Sequence, residues 1–186
     1  VKNNGGKVAV YKENLYKPMP GYRFIASNTD RSRYYVGELN GKSSKQAYMD
    51  ALHISESNII NQTFHNPLGK MNGQDICIIS LKEVSGNGLC CYRQVNDSDV
   101  LVLLEEQDYN EILDETLQRI RRDFNHISGV FSINCVFRYL LFSQEHHMED
   151  YLKTMSTLGE HAGLIGFGEH YNQQFVNQTM TCVVFE

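Results

Sequence analysis

Apolar residues recur along this chain in two rhythms, short runs suited to strands and longer stretches at helical spacing. The clearest helical stretch follows Asp108-x-x-Glu111, a capping box. Behind it Leu113, Leu117, Ile120 and Phe124 repeat at helical spacing and predict a helix over 109–124. A second long helix is predicted over 145–162, with Met148, Tyr151, Leu152, Met155 and Leu158 on one face and Gly163 as its C-cap. Ser43-x-x-Gln46 opens a shorter helix over 44–52, and 55–64 reads as a short helix or irregular segment. Strands are predicted over 7–11, 22–26, 34–39, 75–81, 89–93, 100–104 and 129–135. Turn signals stand at 18–21, Asn40-Gly41, Asn66-Pro67 and 86–88. Residues 2–6 read as a loose polar entry. The last two strands are predicted over 163–169 and 177–186, joined by a polar connection of hairpin length. The fold class that results is α+β, a mixed central sheet covered by two long helices and ending in an antiparallel hairpin.

Composition narrows the setting. The 186 residues, 41% hydrophobic and 21% charged, suffice for one well-buried core with room for a subdomain. A net charge of −5 argues against nucleic acid, which calls for a basic face. The cluster Arg119, Arg121 and Arg122 is surrounded by Asp114, Glu115 and Asp123 and reads as a solvated helix face. No apolar run approaches the roughly 20 residues of a membrane span. Five cysteines without zinc spacing suggest reduced thiols and a cytoplasmic location. The chain begins at Val1 rather than Met and stops on a strand, so it is expected to be a segment of a longer protein.

Two constellations carry candidate chemistry. Asn134, Cys135 and Arg138 stand where a predicted strand ends. Arg138 is always charged and needs an anion, either an internal partner, most simply Glu169, or a ligand carboxylate. Cys135 is either a small buried residue or a nucleophile, and no local signature ties a histidine to it. Gly168 and Glu169 with Asn177, Gln178 and Thr179 form the second constellation. An anion, amides and a hydroxyl suit a ligand α-amino group, and equally suit hydrogen bonds that close a hairpin. His146 and His147 are neighbours on a predicted helix and point apart, so neither a metal nor another cofactor is expected.

At these residues the chain resembles the C-terminal part of the FIST domain family. The matching pieces are Ile133-Asn-Cys-Val-Phe-Arg138, Gly166-Phe-Gly-Glu169 and Asn177-Gln-Thr179 before a closing apolar strand, with Asn66-Pro-Leu-Gly69 upstream. The resemblance is strong from about Asp108 onward and weak before Ser43. It implies one cytoplasmic sensory domain over 1–186 that binds a small ligand, an amino acid or small carboxylate, and is linked to an output domain as in a methyl-accepting chemotaxis-type receptor. The family normally carries an N-terminal half as well, which is not visible in this chain, and a pocket shared between the halves would be held here only in part. The alternatives are a protein-interaction or homodimerisation module without a small ligand, and an enzyme using Cys135.

Overall fold

The computed structural model describes residues 5–73 and 75–186. Residues 2–4 of the predicted polar entry therefore lie outside the described residues. Two compact units emerge, one from the segment ending at Leu15 together with Gln107–Glu186, the other from Tyr16–Glu106.

The chain opens with β1 (Val8–Asn14) and passes at once into the second unit. There β2 (Tyr16–Asp30), β3 (Tyr35–Leu39) and β4 (Lys42–Ser43) lead to α1 (Ser44–Leu52). The Ser43 side chain accepts from the Gln46 N–H, so the capping box starts this helix as its sequence dictates. A 3-10 turn and α2 (Ile59–Gln62) follow, then β5 (Leu68–Asn72), β6 (Asp75–Ile79), β7 (Leu81–Ser85), β8 (Gly88–Cys91) and β9 (Val100–Glu106). These strands form one antiparallel sheet in the order β6-β5-β9-β2-β3-β8-β7, with β4 on β3. Phe24, Leu39, Tyr48, Ile59, Leu101 and Leu103 lie in its apolar core. The turn expected at Pro18–Gly21 is instead a shift of register inside β2, between Pro18 and Arg23. Two prolines lack ladder donors, and a bulge accommodates that without reversing the chain.

The first unit resumes with α3 (Tyr109–Asp123), where Asp108 caps the N–H groups of Asn110 and Glu111. Then come β10 (Gly129–Cys135), α4 (Val136–Gln144), α5 (Met148–Met155), a 3-10 turn, β11 (Glu160–Gly166), β12 (Glu169–Tyr171), β13 (Gln174–Val176) and β14 (Thr179–Phe185). The sheet order is β1-β14-β10-β11. β14 is antiparallel to both its neighbours, and β11 is parallel to β10. Register places Tyr11, Cys182, Ser132 and Gly163 in one row, and Glu13, Met180, Asn134 and Ile165 in the next. The alternating residues Val8, Val10, Phe131, Leu164 and Phe185 are exposed on the opposite face.

The α+β class holds, but the arrangement differs from the expected one. The described residues are 28% helix and 45% strand, in three sheets and with five α-helices of 4 to 15 residues. There is no single central sheet under two long helices. The second long helix stops after Met155, and Gly159, at φ 139°, turns the chain into β11. The strand expected from residue 163 forms, but it starts earlier: sequence periodicity could not see that residues 160–162 gain more as a strand paired to β10 than as further helix turns. Gly163 is therefore no C-cap. It lies in mid-strand, where a Cβ would stand 2.6 Å from Ser132 Oγ. The expected closing hairpin is also replaced. β11 and β14 lie on either side of β10, and the hairpin at this end is the short pair β12–β13.

Candidate functional site

β10 ends at Cys135 in extended backbone and α4 begins at the next residue, so Arg138 enters the first turn of α4 beside the sheet's end. Its side chain is only 1% exposed and pairs with Glu13 of β1 through Nη2 and Oε1. The guanidinium lies 4.6 Å from the ring centroid of Phe142, one helical turn on, and 5.6 Å from that of Tyr151. Arg138 Nε and Nη1 and Glu13 Oε2 are buried without hydrogen-bond partners among the described residues. Taking both charges out of water costs about as much as their attraction returns, so this pair adds little net stability. Leaving donors of a buried cation unpaired costs more still.

Glu169 begins β12, just after Gly168 turns the backbone at φ 112°. A Cβ at Gly168 would stand 2.5 Å from the Phe175 ring, so glycine is required there on two counts. The Glu169 carboxylate accepts from Thr179 Oγ1 at 3.0 Å, while its Oε1 has no partner. Burial pushes this carboxyl up to about 7, against hydrogen bonds from Thr179 and Cys135 and the Arg138 charge. The Cys135 thiol is itself pushed up, first by burial and then by Glu169, opposite to the shift that a nucleophilic thiol needs.

The expected site residues thus fall into two groups. Cys135, Glu169 and Thr179 meet, with Gly168 as the turn that delivers Glu169. Arg138 bonds Glu13 rather than Glu169, because Glu13 shares the row of Asn134 on the helix-covered face, whereas Thr179 and Cys135 alternate to the other. Asn134 donates through Nδ2 to Tyr151 Oη at 2.9 Å, and its Oδ1 is unpartnered. Asn177 and Gln178 are buried in the bend before β14, with Gln178 at φ 53°.

A pocket of 260 Å³ opens beside this cluster, between α4, α5 and β11. Its walls include Tyr139, Met148, Leu152 and Ile165. Its floor is a chain of hydrogen bonds in which Asn134 donates to Tyr151, Tyr151 donates to Ser132 Oγ at 3.3 Å, and Ser132 Oγ meets His161 Nε2 at 2.9 Å. Burial pushes His161 below its usual value, which favours a neutral ring accepting from Ser132. A larger polar groove of 430 Å³ runs between β1 and α3, where Arg119 donates to the Lys12 carbonyl at 3.0 Å. His147 packs between Tyr109 and Phe142, and His146 is exposed. Among the described residues no three His, Cys, Asp or Glu stand close enough to hold a metal ion, and no helix is long and apolar enough to cross a membrane.

Glu13 and Ser132 escaped sequence reasoning, and Tyr151 was read only as part of a helix's apolar face. A glutamate two residues beyond Tyr11 on the apolar side of a strand was the available signal for Glu13. His161 was weighed as a base for Cys135 and as a metal ligand with His170, and its place beside Ser132 was missed because its segment was assigned to a helix.

A family model described as FIST C domain matches residues 45–172. The match takes in Asn134, Cys135, Arg138, Gly168 and Glu169 and stops short of Asn177, Gln178 and Thr179. No curated protein and no solved structure matches the chain.

Proposed function

The chain belongs to the FIST C domain family, sensory-type domains of signalling proteins, and from that premise we propose that it senses an amino acid or small carboxylate at the charged cluster under the β12–β13 hairpin. In this reading the ligand carboxylate takes the free donors of Arg138, and the ammonium takes Glu169, with Asn134, Asn177, Gln178 and Thr179 around it. Lifting the hairpin about Gly168 admits the ligand. The ligand state then passes to a covalently linked output domain in the cytoplasm, as in a methyl-accepting chemotaxis-type receptor.

One observation carries the proposal. Arg138 is buried, yet keeps Nε and Nη1 unpaired; Glu13 Oε2 and Asn134 Oδ1 on the same face of the sheet are unpaired too, as is Glu169 Oε1 beside Thr179 on the other. Native interiors rarely leave so many charged and polar atoms unsatisfied within one unit, and a zwitterion supplies missing partners. Such a ligand stabilises the fold by mass action, by about 2.7 kcal/mol at a hundredfold excess over Kd. The test is thermal denaturation against the twenty amino acids and a series of small carboxylates. At least one is expected to raise Tm, and Glu169→Gln should abolish the response to the amino acid more than to the carboxylate lacking its ammonium. A panel that leaves Tm unmoved overturns the reading.

A further inference from the structure

The row Tyr11, Cys182, Ser132 and Gly163 shrinks in side-chain size as it crosses its sheet toward β11. It ends at Gly163 with no side chain at all, and a Cβ there would stand 2.6 Å from Ser132 Oγ. A glycine inside a strand often marks the close approach of another group. His161 and Ile165 stand two residues to either side of Gly163, on the same face of β11. Met148, Tyr151 and Leu152 share the facing side of α5 by helical spacing. The hollow that these residues leave is the 260 Å³ pocket. It exceeds the roughly 150 Å³ that hold benzene in an apolar cavity.

Two features limit what fits there. The first is charge. No Asp, Glu, Lys or Arg lines the pocket among the described residues, and burial keeps His161 neutral. A charged ligand would leave water and meet no countercharge. The second is the direction of the hydrogen bonds. Asn134 donates to Tyr151, and Tyr151 donates to Ser132. Ser132 has one proton to give, and it goes to His161 Nε2. A neutral imidazole then carries its own proton on Nδ1. That N–H has no partner among the described residues. The Tyr139 hydroxyl of the wall has none either and can also donate. Ser132 and Tyr151 are each 1% exposed and Asn134 Oδ1 is buried, so the chain itself offers the pocket little. Leu152 and Ile165 of the walls are close to half exposed, apolar surface that an occupant would cover.

We propose that this pocket binds a small uncharged molecule, one ring or short chain bearing a carbonyl group, which covers Leu152 and Ile165 and accepts a hydrogen bond from Nδ1 of His161. Apolar contact supplies most of the adhesion, and the carbonyl fixes the orientation. Neither Arg138 nor Glu169 lines the pocket, so the inference does not depend on the zwitterion reading.

The probe is acetophenone, titrated into the 186-residue chain and followed by the amide NMR shifts of β11 and α5. Saturable shifts in these two elements are expected. α-Methylstyrene has the same shape with CH₂ in place of the carbonyl oxygen. It is also less hydrated, so the two probes are compared across a variant. His161→Phe keeps a ring and removes the donor. It should weaken acetophenone about fivefold relative to α-methylstyrene, the worth of one net hydrogen bond, whereas damage to the pocket's shape would weaken both alike. Leu152→Glu, at an exposed wall position, should weaken both probes. Benzoate should not displace acetophenone, and neither should an amino acid that raises Tm. The proposal is overturned if acetophenone does not saturate, if His161→Phe affects the two probes equally, if Leu152→Glu leaves both affinities unchanged, or if the charged compounds compete.

Discussion

The two units solve burial in opposite ways. In the unit of Tyr16–Glu106 the core is apolar, and buried polar side chains find simple partners. Ser44 Oγ donates to the Val36 carbonyl at 2.6 Å, and Thr63 Oγ1 accepts from the Leu81 N–H at 2.8 Å. The other unit buries Glu13, Asn134 and Arg138 on one face of its sheet and Glu169 beside Thr179, and leaves an atom of each unpaired among the described residues. A core built for stability alone does not do this, because each unmade bond costs about 1–3 kcal/mol. The contrast separates a core whose polar groups find partners from one that leaves charged and polar atoms without them among the described residues.

The largest test of that contrast is the ion pair. Arg138→Ala strands Glu13 in the core and is expected to cost about 3–5 kcal/mol, measured by urea denaturation. Replacing the pair together, Arg138→Met with Glu13→Leu, should restore most of that stability or exceed the parent while abolishing any ligand-induced rise in Tm. In the apolar core, Leu103→Ala should cost about 2–5 kcal/mol through its cavity and leave the ligand response intact. A double replacement as damaging as Arg138→Ala would make the pair a structural element and dissolve the distinction between the units.

The local signals in the sequence were faithful where local physics decides the outcome. Both capping boxes start helices where Ser43 and Asp108 stand, because a side-chain oxygen meeting an N–H three residues on is a short-range event. Glu169 and Thr179 meet as their shared constellation expected, but through the bend at Gly168 and not through pairing of the last two strands, and Cys135 joins them from the other constellation. What failed was long-range. His161 and Ala162 became strand because β10 lay waiting as a partner, and nothing within their own segment announces that. Arg138 found Glu13, 125 residues away in the chain, in place of Glu169. Only the register of β1 against β14 puts that glutamate in reach, and register follows from the assembled sheet.

Glu169 gives a test of intermediate size. Its carboxyl is pushed from 4.5 to about 7 by burial. The folded state therefore binds the proton more tightly than the unfolded one. The stability it contributes is complete below about 4.5 and is lost as pH rises through about 7. Glu169→Gln mimics the protonated form, so the stability difference between variant and parent should grow in the variant's favour across that window, by a few kcal/mol. Parallel pH curves would mean that the carboxyl is solvated in practice and that the hairpin does not seal the cluster. The same titration bears on sensing. A ligand ammonium beside Glu169 stabilises its ionised form, so binding should release a proton and tighten between pH 6 and pH 8.

The smallest test sets one tyrosine of each unit against the other. Tyr48 and Tyr151 are 0% and 1% exposed, and burial raises the pKa of both hydroxyls. Tyr48 makes one bond, to the Asn66 carbonyl at 2.7 Å. Tyr151 both accepts from Asn134 and donates to Ser132. Phenylalanine fills each ring site without a cavity, so each substitution reads the hydroxyl alone. Tyr48→Phe should cost about 1 kcal/mol, an ordinary net hydrogen bond. Tyr151→Phe leaves the Asn134 amide with no partner at either end and should cost nearer about 2 kcal/mol, while the ring still faces Arg138. Equal losses, measured by chemical denaturation, would mean that Asn134 finds a new partner on losing Tyr151. The reverse order would mean that the hydroxyl chain under the pocket is already strained in the unliganded protein, which would make Tyr151 the side chain through which the pocket and the charged cluster sense one another.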